Sequence, residues 1–593
     1  MAARPPFIRL SQALWPIAAS ALSLLAFFAV GRLFVWSYTL DLGSMVLPAG
    51  RQTYFLLFWT VLGSLAAAFL ALGLTRLQAL APRAGASTGE RRDATWLAVT
   101  MVAAFVVAGT IRAFVLRGAV VTDDESAYRF MAQTLASGRL WVASPPMKAF
   151  FDRVFMINDG KFYGQYFIGW PALMVPGVYV GATGYMNAIY SALTVPAVFL
   201  TVRGMAGAAA GRVATLLYLA SPMLGVGAAT ELSHTTCLMA AAWSVYCLLR
   251  SRETPGNWRW HAGVAFCFAL GLLIRPLSTL GVGLPVLVSW LVNVVRHSPV
   301  ERRRAIVAFA VPACSMAALL FAVNFAQNGS VLTTSYARSQ QYMREVKFLN
   351  VGWSVAAPPA SLARYILGSG EWELSLARTA SGLVRLVYDL FGSPLLLVLV
   401  ALAWAARPAR IIWLSALSFV VLHFSLSDSG IDTFGPVHFY ELAWPLIVLA
   451  GVGFGRLASL SREWRPARPD SWALAVVIAV VFVSLIGFVP VRLHALQIVA
   501  SNVNAPADAL KARGISHAVI FTAGLFVDEQ CIAPTRHFVY FRPNNDPGLR
   551  NDILWANHLG WKDDIDLMKK WFPDRNGYVM KWEGCRPRFQ HLE

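Results

Sequence analysis

The sequence predicts a polytopic α-helical membrane protein that carries a small α/β domain outside the bilayer. Three observations lead there. Of 593 residues, 57% are hydrophobic and only 14% charged, and the mean hydropathy is +0.55; a soluble domain is about half apolar and about a quarter charged. Apolar runs long enough to cross a bilayer as a helix, about 20 residues, recur along most of the chain. From about residue 495 the composition shifts to the Asn, Asp, Lys, Trp and Pro of a globular domain.

The runs lie near 13–36, 52–74, 94–116, 186–202, 208–225, 232–249, 261–275, 279–295, 305–325, 380–403, 411–425, 438–455 and 471–490, which makes thirteen predicted spans. The first is too long for the core of a cleaved signal and lacks a small-residue cleavage site, so it reads as a retained span. The formal charge of +19 does not point to nucleic acid, because the Arg residues cluster in short loops, where they report topology. Basic loops hold Arg4 and Arg9, Arg76 to Arg92, Arg203 and Arg212, Arg250 to Arg259, Arg296 to Arg304, Arg407 and Arg410, and Arg456 to Arg468. They alternate with poorly charged loops near 37–51, 226–231 and 426–437. The alternation places the N-terminus in the cytoplasm and, with thirteen spans, the C-terminus outside.

Residues 1–490 then form a transmembrane module with two long external loops, 117–185 and 326–378. The end of the first loop, Phe167 to Val180, is apolar but breaks the charge alternation if it spans, so a helix lying in the interface is expected. Residues 495–593 form the external domain, with a buried strand at 518–521 and a helix from Asp563 to Trp571. No zinc-type Cys spacing occurs. Cys237, Cys247, Cys267 and Cys314 lie in apolar runs and read as small hydrophobes.

Asp123, Asp124 and Glu125 open the first external loop. Thr122 or an Asp caps a helix there, early acids suit its dipole, and Gly138 stops it. Charge beside hydrocarbon is costly and marks function. A carboxylate fixed at a helix start is a rigidly placed general base. Arg275, in Leu273-Ile274-Arg275-Pro276, is either a snorkelling interface residue or a phosphate ligand. Glu231 and His234 are three apart and share a helical face, as a cap, a pocket wall or part of a metal site. Asp428, Asp432, His438 and Glu441 gather around one short loop. Tyr128, Tyr163 and Tyr166 are interface aromatics or sugar-stacking rings.

Asp124-Glu125-Ser126-Ala127-Tyr128, Met131-Ala132 and Leu135-Ala136-Ser137-Gly138 resemble the first external loop of GT-C glycosyltransferases, in particular the group of protein O-mannosyltransferases and lipid A aminoarabinose transferases. Asp159 to Tyr166 with Gly169-Trp170-Pro171 is similar to that loop's second half. Ala220-Ser221-Pro222 ahead of Glu231-Leu232-Ser233-His234, and Gly435-Pro436 ahead of His438-Phe439-Tyr440-Glu441, look like motifs of bacterial members. The resemblance covers about 120–350 and continues as isolated motifs near 440. In the aminoarabinose transferases a Lys-Pro pair precedes the interfacial helix; this chain has Gln165-Tyr166, with Lys161 upstream. Bacterial relatives often carry Arg where this chain has His438.

The resemblance implies a GT-C fold in a bacterial inner membrane, with a periplasmic site that takes sugar from a polyprenyl phosphate and gives it to a glycan, lipid or protein acceptor. Asp124 is then the base, Asp123 its runner-up, and Glu125 orients it or binds acceptor. The leaving phosphate needs cations or a divalent metal; the candidates are Arg275, Lys161, Arg153 and His438, and no metal ligands are assigned. Tyr128, Tyr163, Gln165, Tyr166, Glu231, His234 and Glu441 are candidates for sugar or acceptor contact. In the oxidising periplasm Cys531 and Cys585, the two cysteines of the polar tail, are expected to pair. A flippase of lipid-linked sugar would instead show mid-span charges and broken-helix repeats, which the sequence does not display. A non-catalytic envelope scaffold would bind through its tail.

Overall fold

The computed structural model describes residues 6–34, 51–78, 90–345, 372–424, 434–464, 469–522, 545–583 and 586–592. Helix fills most of the described residues of each of the thirteen predicted runs. By length and apolarity alone, however, eight described helices can cross a membrane, or ten if each of two bent pairs is one span. The count of thirteen is not reached, because His234–Glu253, Trp258–Ile274 and Arg410–His423 are shorter or more polar than that criterion allows.

Helices α1 (Pro6–Phe34), α2 and α3 (Arg51–Phe58 and Ser64–Gln78, joined by a π-turn) and α4 (Glu90–Thr110) come first. After the first long loop follow α7 (Met186–Ala206), α8 (Ala208–Ala220), α9 (Pro222–Ala229), α10 (His234–Glu253), α11 (Trp258–Ile274), α12 (Pro276–Val295) and α13 (Pro299–Asn328). The predicted run 208–225 is broken: α8 and α9 meet at 59°. Pro222 cannot continue α8, and the Ser221 hydroxyl accepts from Leu224 N at 3.3 Å, starting α9 afresh. The run 380–403 is likewise two pieces, α15 (Trp372–Phe391) and the short α16 (Leu397–Leu402), bent by 96° where Gly392 takes a left-handed φ of +65° ahead of Pro394.

The first loop contains α5 (Asp123–Ala136), a three-stranded antiparallel sheet of order β1-β3-β2 (Val142–Ala143, Lys161–Gly164, Met156–Asp159) and α6 (Gly169–Tyr179). The sheet has no counterpart in the sequence-based expectation. Helix α6 occupies the stretch expected to lie in the interface. Trp170 Nε1 donates to the Glu231 carbonyl at 2.7 Å, and at Gly169 the backbone passes so near the Leu273 carbonyl that a side chain would collide with it. The second loop adds α14 (Ser335–Glu345), which latches onto the sheet through Tyr342 Oη to the Asn158 carbonyl at 2.8 Å and Arg338 to Asp159 at 2.7 Å.

Helices α17 (Arg410–His423) and α18 (Ala443–Trp464) precede α19 (Pro469–Ala512), which is 44 residues long. At about 1.5 Å per residue it extends ~66 Å, about twice the hydrocarbon thickness. The predicted end of the spanning module at 490 therefore falls inside one continuous helix. Helix α19 leads into a sheet of order β5-β4-β6-β7 (Ile553–Asn557, Ala518–Thr522, Asn576–Glu583, Arg586–His591), with α20 (Trp561–Trp571) beside it. Strand β4 pairs in parallel with β5 and β6; β6 and β7 are antiparallel. Only β4 and the helix were legible beforehand. This domain sits on the first loop: Phe150 and Phe151 share a buried cluster with Val519, Phe521, Leu554 and Val579, and Asn557 Nδ2 donates to the Ala149 carbonyl at 2.7 Å. The contact puts the domain and α5 on one side of the spanning bundle. Cys531 and Cys585 lie outside the described residues.

Helix α18 packs against α16 through Gly453, where a Cβ would meet the Leu399 carbonyl. Small residues let helices approach this closely. Gly453→Ala should lower the thermal unfolding midpoint in detergent by the equivalent of about 1–3 kcal/mol, the usual cost of overpacking. Gly204→Ala, at a position with no atom within 4 Å, should leave it unchanged; equal midpoints for both variants would count against this packing.

Candidate active site

Helix α5 opens with a capping box. Thr122 Oγ1 accepts from Glu125 N at 3.2 Å, and Glu125 Oε2 accepts from Thr122 N at 3.2 Å and from Val121 N at 2.9 Å. Its other oxygen, Oε1, accepts from Glu231 N at 2.8 Å. Glu125 is fully buried, so it ties the start of α5 to the segment between α9 and α10. The Glu231 side chain is held in turn. Arg112 Nη2 donates to it at 2.9 Å and Arg129 grips it through two nitrogens, with Nε at 2.9 Å from Oε2. Arg112 also donates to the carbonyls of Gly118 and Ala119, each at 3.0 Å.

With Glu125 and Glu231 committed to these bonds, Asp124 is the half-buried carboxylate that faces the tyrosines. Its Oδ1 accepts from Tyr166 Oη at 2.5 Å. The Tyr166 ring lies 4.3 Å from that of Tyr128 and stands edge-on to Tyr336 of α14 at 5.6 Å. Tyr128 Oη and Ser233 Oγ are 2.9 Å apart, and Arg275 Nη1 donates to Ser233 Oγ at 3.3 Å. Arg275 Nε lies 3.1 Å from Glu441 Oε1, and His234 Nδ1 lies 3.2 Å from the same oxygen. Burial raises the Asp124 carboxyl above the usual aspartate range; the Tyr166 hydroxyl, then the charges of Arg275 and His438, pull against it. Arg275 and His438 are thus electrostatic neighbours of Asp124. Asp123, in the same helical turn, is half-buried.

The structure separates the other candidates from this group. Phe162 packs on Phe130 of α5, ring centroids 4.9 Å apart, so alternation along β3 turns Lys161 and Tyr163 the other way. Lys161 Nζ donates to the Ala326 carbonyl at 2.7 Å, and Tyr163 Oη to Asn328 Oδ1 at 2.7 Å. The expectation that Lys161 helps Arg275 beside the acidic cluster is corrected on that ground. Arg153 reaches the Trp555 carbonyl at 3.4 Å, in the seam with the C-terminal domain. Gln165 is buried, its backbone N–H on the Phe155 carbonyl at 2.9 Å. Glu231 and His234 have separate partners and do not converge, and among the described residues no group of three His, Cys, Asp or Glu could hold a metal. Asp428 and Asp432 lie outside the described residues.

Sequence reasoning missed Ser233, Tyr336, Arg112 and Arg129. Arg112 had a usable signal: an Arg inside an apolar run is functional by default. Tyr336 had none, since its loop lies about 170 residues beyond Tyr166 and only packing brings the rings together.

Residues 173–323 match the family model described as dolichyl-phosphate-mannose-protein mannosyltransferase. That match covers about a quarter of the chain. It runs from within α6 into α13, across the segment that holds Glu231, Ser233, His234 and Arg275. Among solved structures the chain is similar to ArnT from Cupriavidus metallidurans in the apo state, at 14% identity and TM-score 0.48, covering 82% of this chain and 92% of that one. For the same protein bound to undecaprenyl phosphate the values are 14%, 0.47, 83% and 93%. For the arabinosyltransferase EmbB from Mycobacterium smegmatis they are 14%, 0.39, 69% and 35%. No curated protein matches the chain.

The two neighbouring acids should separate by experiment. Glu125→Ala strands three buried backbone N–H groups, each costing about 1–3 kcal/mol unpaired, and should strongly lower the unfolding midpoint. Asp124→Asn keeps the shape and an acceptor for Tyr166, and should melt near wild type. The reverse order of midpoints would show the roles to be exchanged.

Proposed function

We propose that this protein transfers a sugar from a polyprenyl-phosphate carrier to an acceptor hydroxyl, with inversion, and that Asp124 is the general base. One observation carries the reading: a half-buried carboxylate at a capped helix start, bonded to Tyr166, with the Arg275 guanidinium acting on it and His438 nearby. That is one base and a cationic centre, the minimum for displacing a phosphate from an anomeric carbon. The acceptor O–H donates its proton to Asp124 as its oxygen forms the new bond to that carbon. The bond from the carbon to the phosphate oxygen breaks, and the phosphate leaves with the electron pair. Because that leaving group is a stable anion, no strong acid is needed, but its charge must be met by fixed cations. Arg275, braced by Glu441 and Ser233, meets it, and His438 assists; a divalent ion is the alternative source of charge.

Tyr166 orients Asp124. Tyr128, Tyr166 and Tyr336 form an aromatic wall suited to a sugar ring. Glu125 and Glu231 are positioning residues that hold α5 against the bundle. The acceptor is a glycan, a lipid or a protein. The setting is the bacterial inner membrane, with the N-terminus cytoplasmic and the site and C-terminal domain periplasmic. The helix breaks at α8–α9 and α15–α16 are a feature that a flippase would share, but that alternative would also need charges free to act within the bundle. Asp389 and Arg492, which lie there, are buried and paired at 3.1 Å.

Asp124→Asn should cut turnover by at least about 10²-fold, as loss of a general base does, in an assay with purified protein and radiolabelled polyprenyl-phosphate sugar. Retained turnover removes Asp124 from the role. The raised carboxyl also fixes the sign of the pH dependence. The base must be ionised, so activity falls as pH drops through a value above the ordinary Asp range of about 3.9. In any residual activity of Asp124→Asn this acid limb should be absent.

Arg275→Ala removes a charged donor worth about 1.5–3 kcal/mol. It should raise the donor KM by about 10–100-fold and leave the acceptor KM in place. An unchanged donor KM would assign the phosphate to another cation.

A further inference from the structure

Away from the site, α11 and α13 pack side by side in the same direction, with Trp258 and Val300 together at one end and Leu273 and Val323 at the other. The C-terminal end of α13 is fixed on the α5 face, since Ala326 and Asn328 accept from Lys161 and Tyr163. Its 30 residues extend ~45 Å at about 1.5 Å each, more than the ~30 Å hydrocarbon layer. Its N-terminal end therefore emerges in the opposite leaflet, whichever way the protein is oriented. There the starts of α11 and α13 flank a groove of about 1030 Å³, lined by Trp258 and Ala262 on one side and Arg303, Arg304, Val307 and Val311 on the other.

The groove is graded in polarity. Arg303 and Arg304 are exposed at its mouth, in the second turn of α13. One and two turns deeper, Val307 and Val311 are 55% and 61% exposed, and Trp258 across from them is 57% exposed. Little of α13 is covered by protein: of its 30 residues, Ala305, Val323, Asn324 and Gln327 are buried. Both helices also present their positive dipole ends here. The nearby acid, Glu301, is turned back onto its own cap, with Ser298 Oγ at 2.7 Å from Oε2. Apolar walls open to lipid chains beneath a pair of guanidinium groups match one occupant, whose anionic head meets the arginines and whose tails follow the valines.

We propose that this groove binds an anionic phospholipid of the leaflet opposite the α5 face. The lipid would act from outside the reaction centre, as a fixed part of the bundle, and the proposal does not rest on the transferase reading. Basic side chains near an anionic surface contribute about 1 kcal/mol each, so losing both arginines should weaken binding about 30-fold.

The test uses full-length protein in a neutral detergent. Phosphatidylglycerol, phosphatidylcholine and undecaprenyl phosphate are titrated separately, and binding is read by native mass spectrometry and by the shift in unfolding midpoint. Wild type should retain and be stabilised by phosphatidylglycerol but not by phosphatidylcholine. The double variant Arg303→Gln, Arg304→Gln should lose that response while keeping its lipid-free midpoint. Val307→Trp, which fills the groove and keeps both charges, should lose it too, and carries the test if the double variant does not fold. Equal response to both phospholipids, or an undiminished response in the variants, overturns the proposal. Tighter retention of undecaprenyl phosphate, with displacement of phosphatidylglycerol, also overturns it and makes the occupant the carrier.

Discussion

Three backbone N–H groups converge on the carboxylate of Glu125, and the site hangs from that convergence. Two belong to the start of α5 and the third to Glu231, over a hundred residues along the chain. A buried carboxylate is expensive unless its oxygens are satisfied; here both are. Glu125 therefore joins the external loop to the spanning bundle at one point. Asp124, its neighbour in sequence, is carried to a defined position by that joint. The Glu231 side chain, clasped by Arg112 and Arg129, makes the joint stiff from the other side. Removing one partner of such a buried charge network costs more than the net worth of the pair, which is why these residues belong to placement and Asp124 to chemistry.

Much of this was legible in the sequence because it is local. The capping signature at Thr122 to Glu125 and the Gly138 stop describe α5, and Gly138 does take a left-handed φ of +74°. Apolar runs of the right length mark the helices. What could not be read is non-local. The break at Ser221-Pro222 was placed inside the predicted run 208–225, because composition does not distinguish a straight helix from two capped pieces. The shift at residue 495 looked like a domain boundary, yet α19 passes through it, since polar residues continue a helix as readily as apolar ones once it has left the bilayer.

Charge was the least legible quantity. Lys161 was expected to assist Arg275 as a second cation near the acidic cluster. The pleat of β3 sends Lys161 to α13, while the sharp turn between α11 and α12 leaves Arg275 beside Ser233 and Glu441. Arg275 was the first expectation and Lys161 its helper, and a register of one position along a strand separates the two. Tyr336 shows the converse: a residue far along the chain completes the ring wall because α14 is latched to the sheet.

The long helix α19 has a consequence of its own. It carries the C-terminal sheet at one end, and the same sheet is seated on Phe150, Phe151 and Ala149 of the first loop. Rod and seat close a ring, so the length of the rod is not free. Each residue added beyond the membrane would lift the sheet by about 1.5 Å and turn it by about 100°, swinging Asn557 out of phase with its seat. Near-whole turns are then the unit in which that part of the chain can grow or shrink, as teeth set the positions of a ratchet.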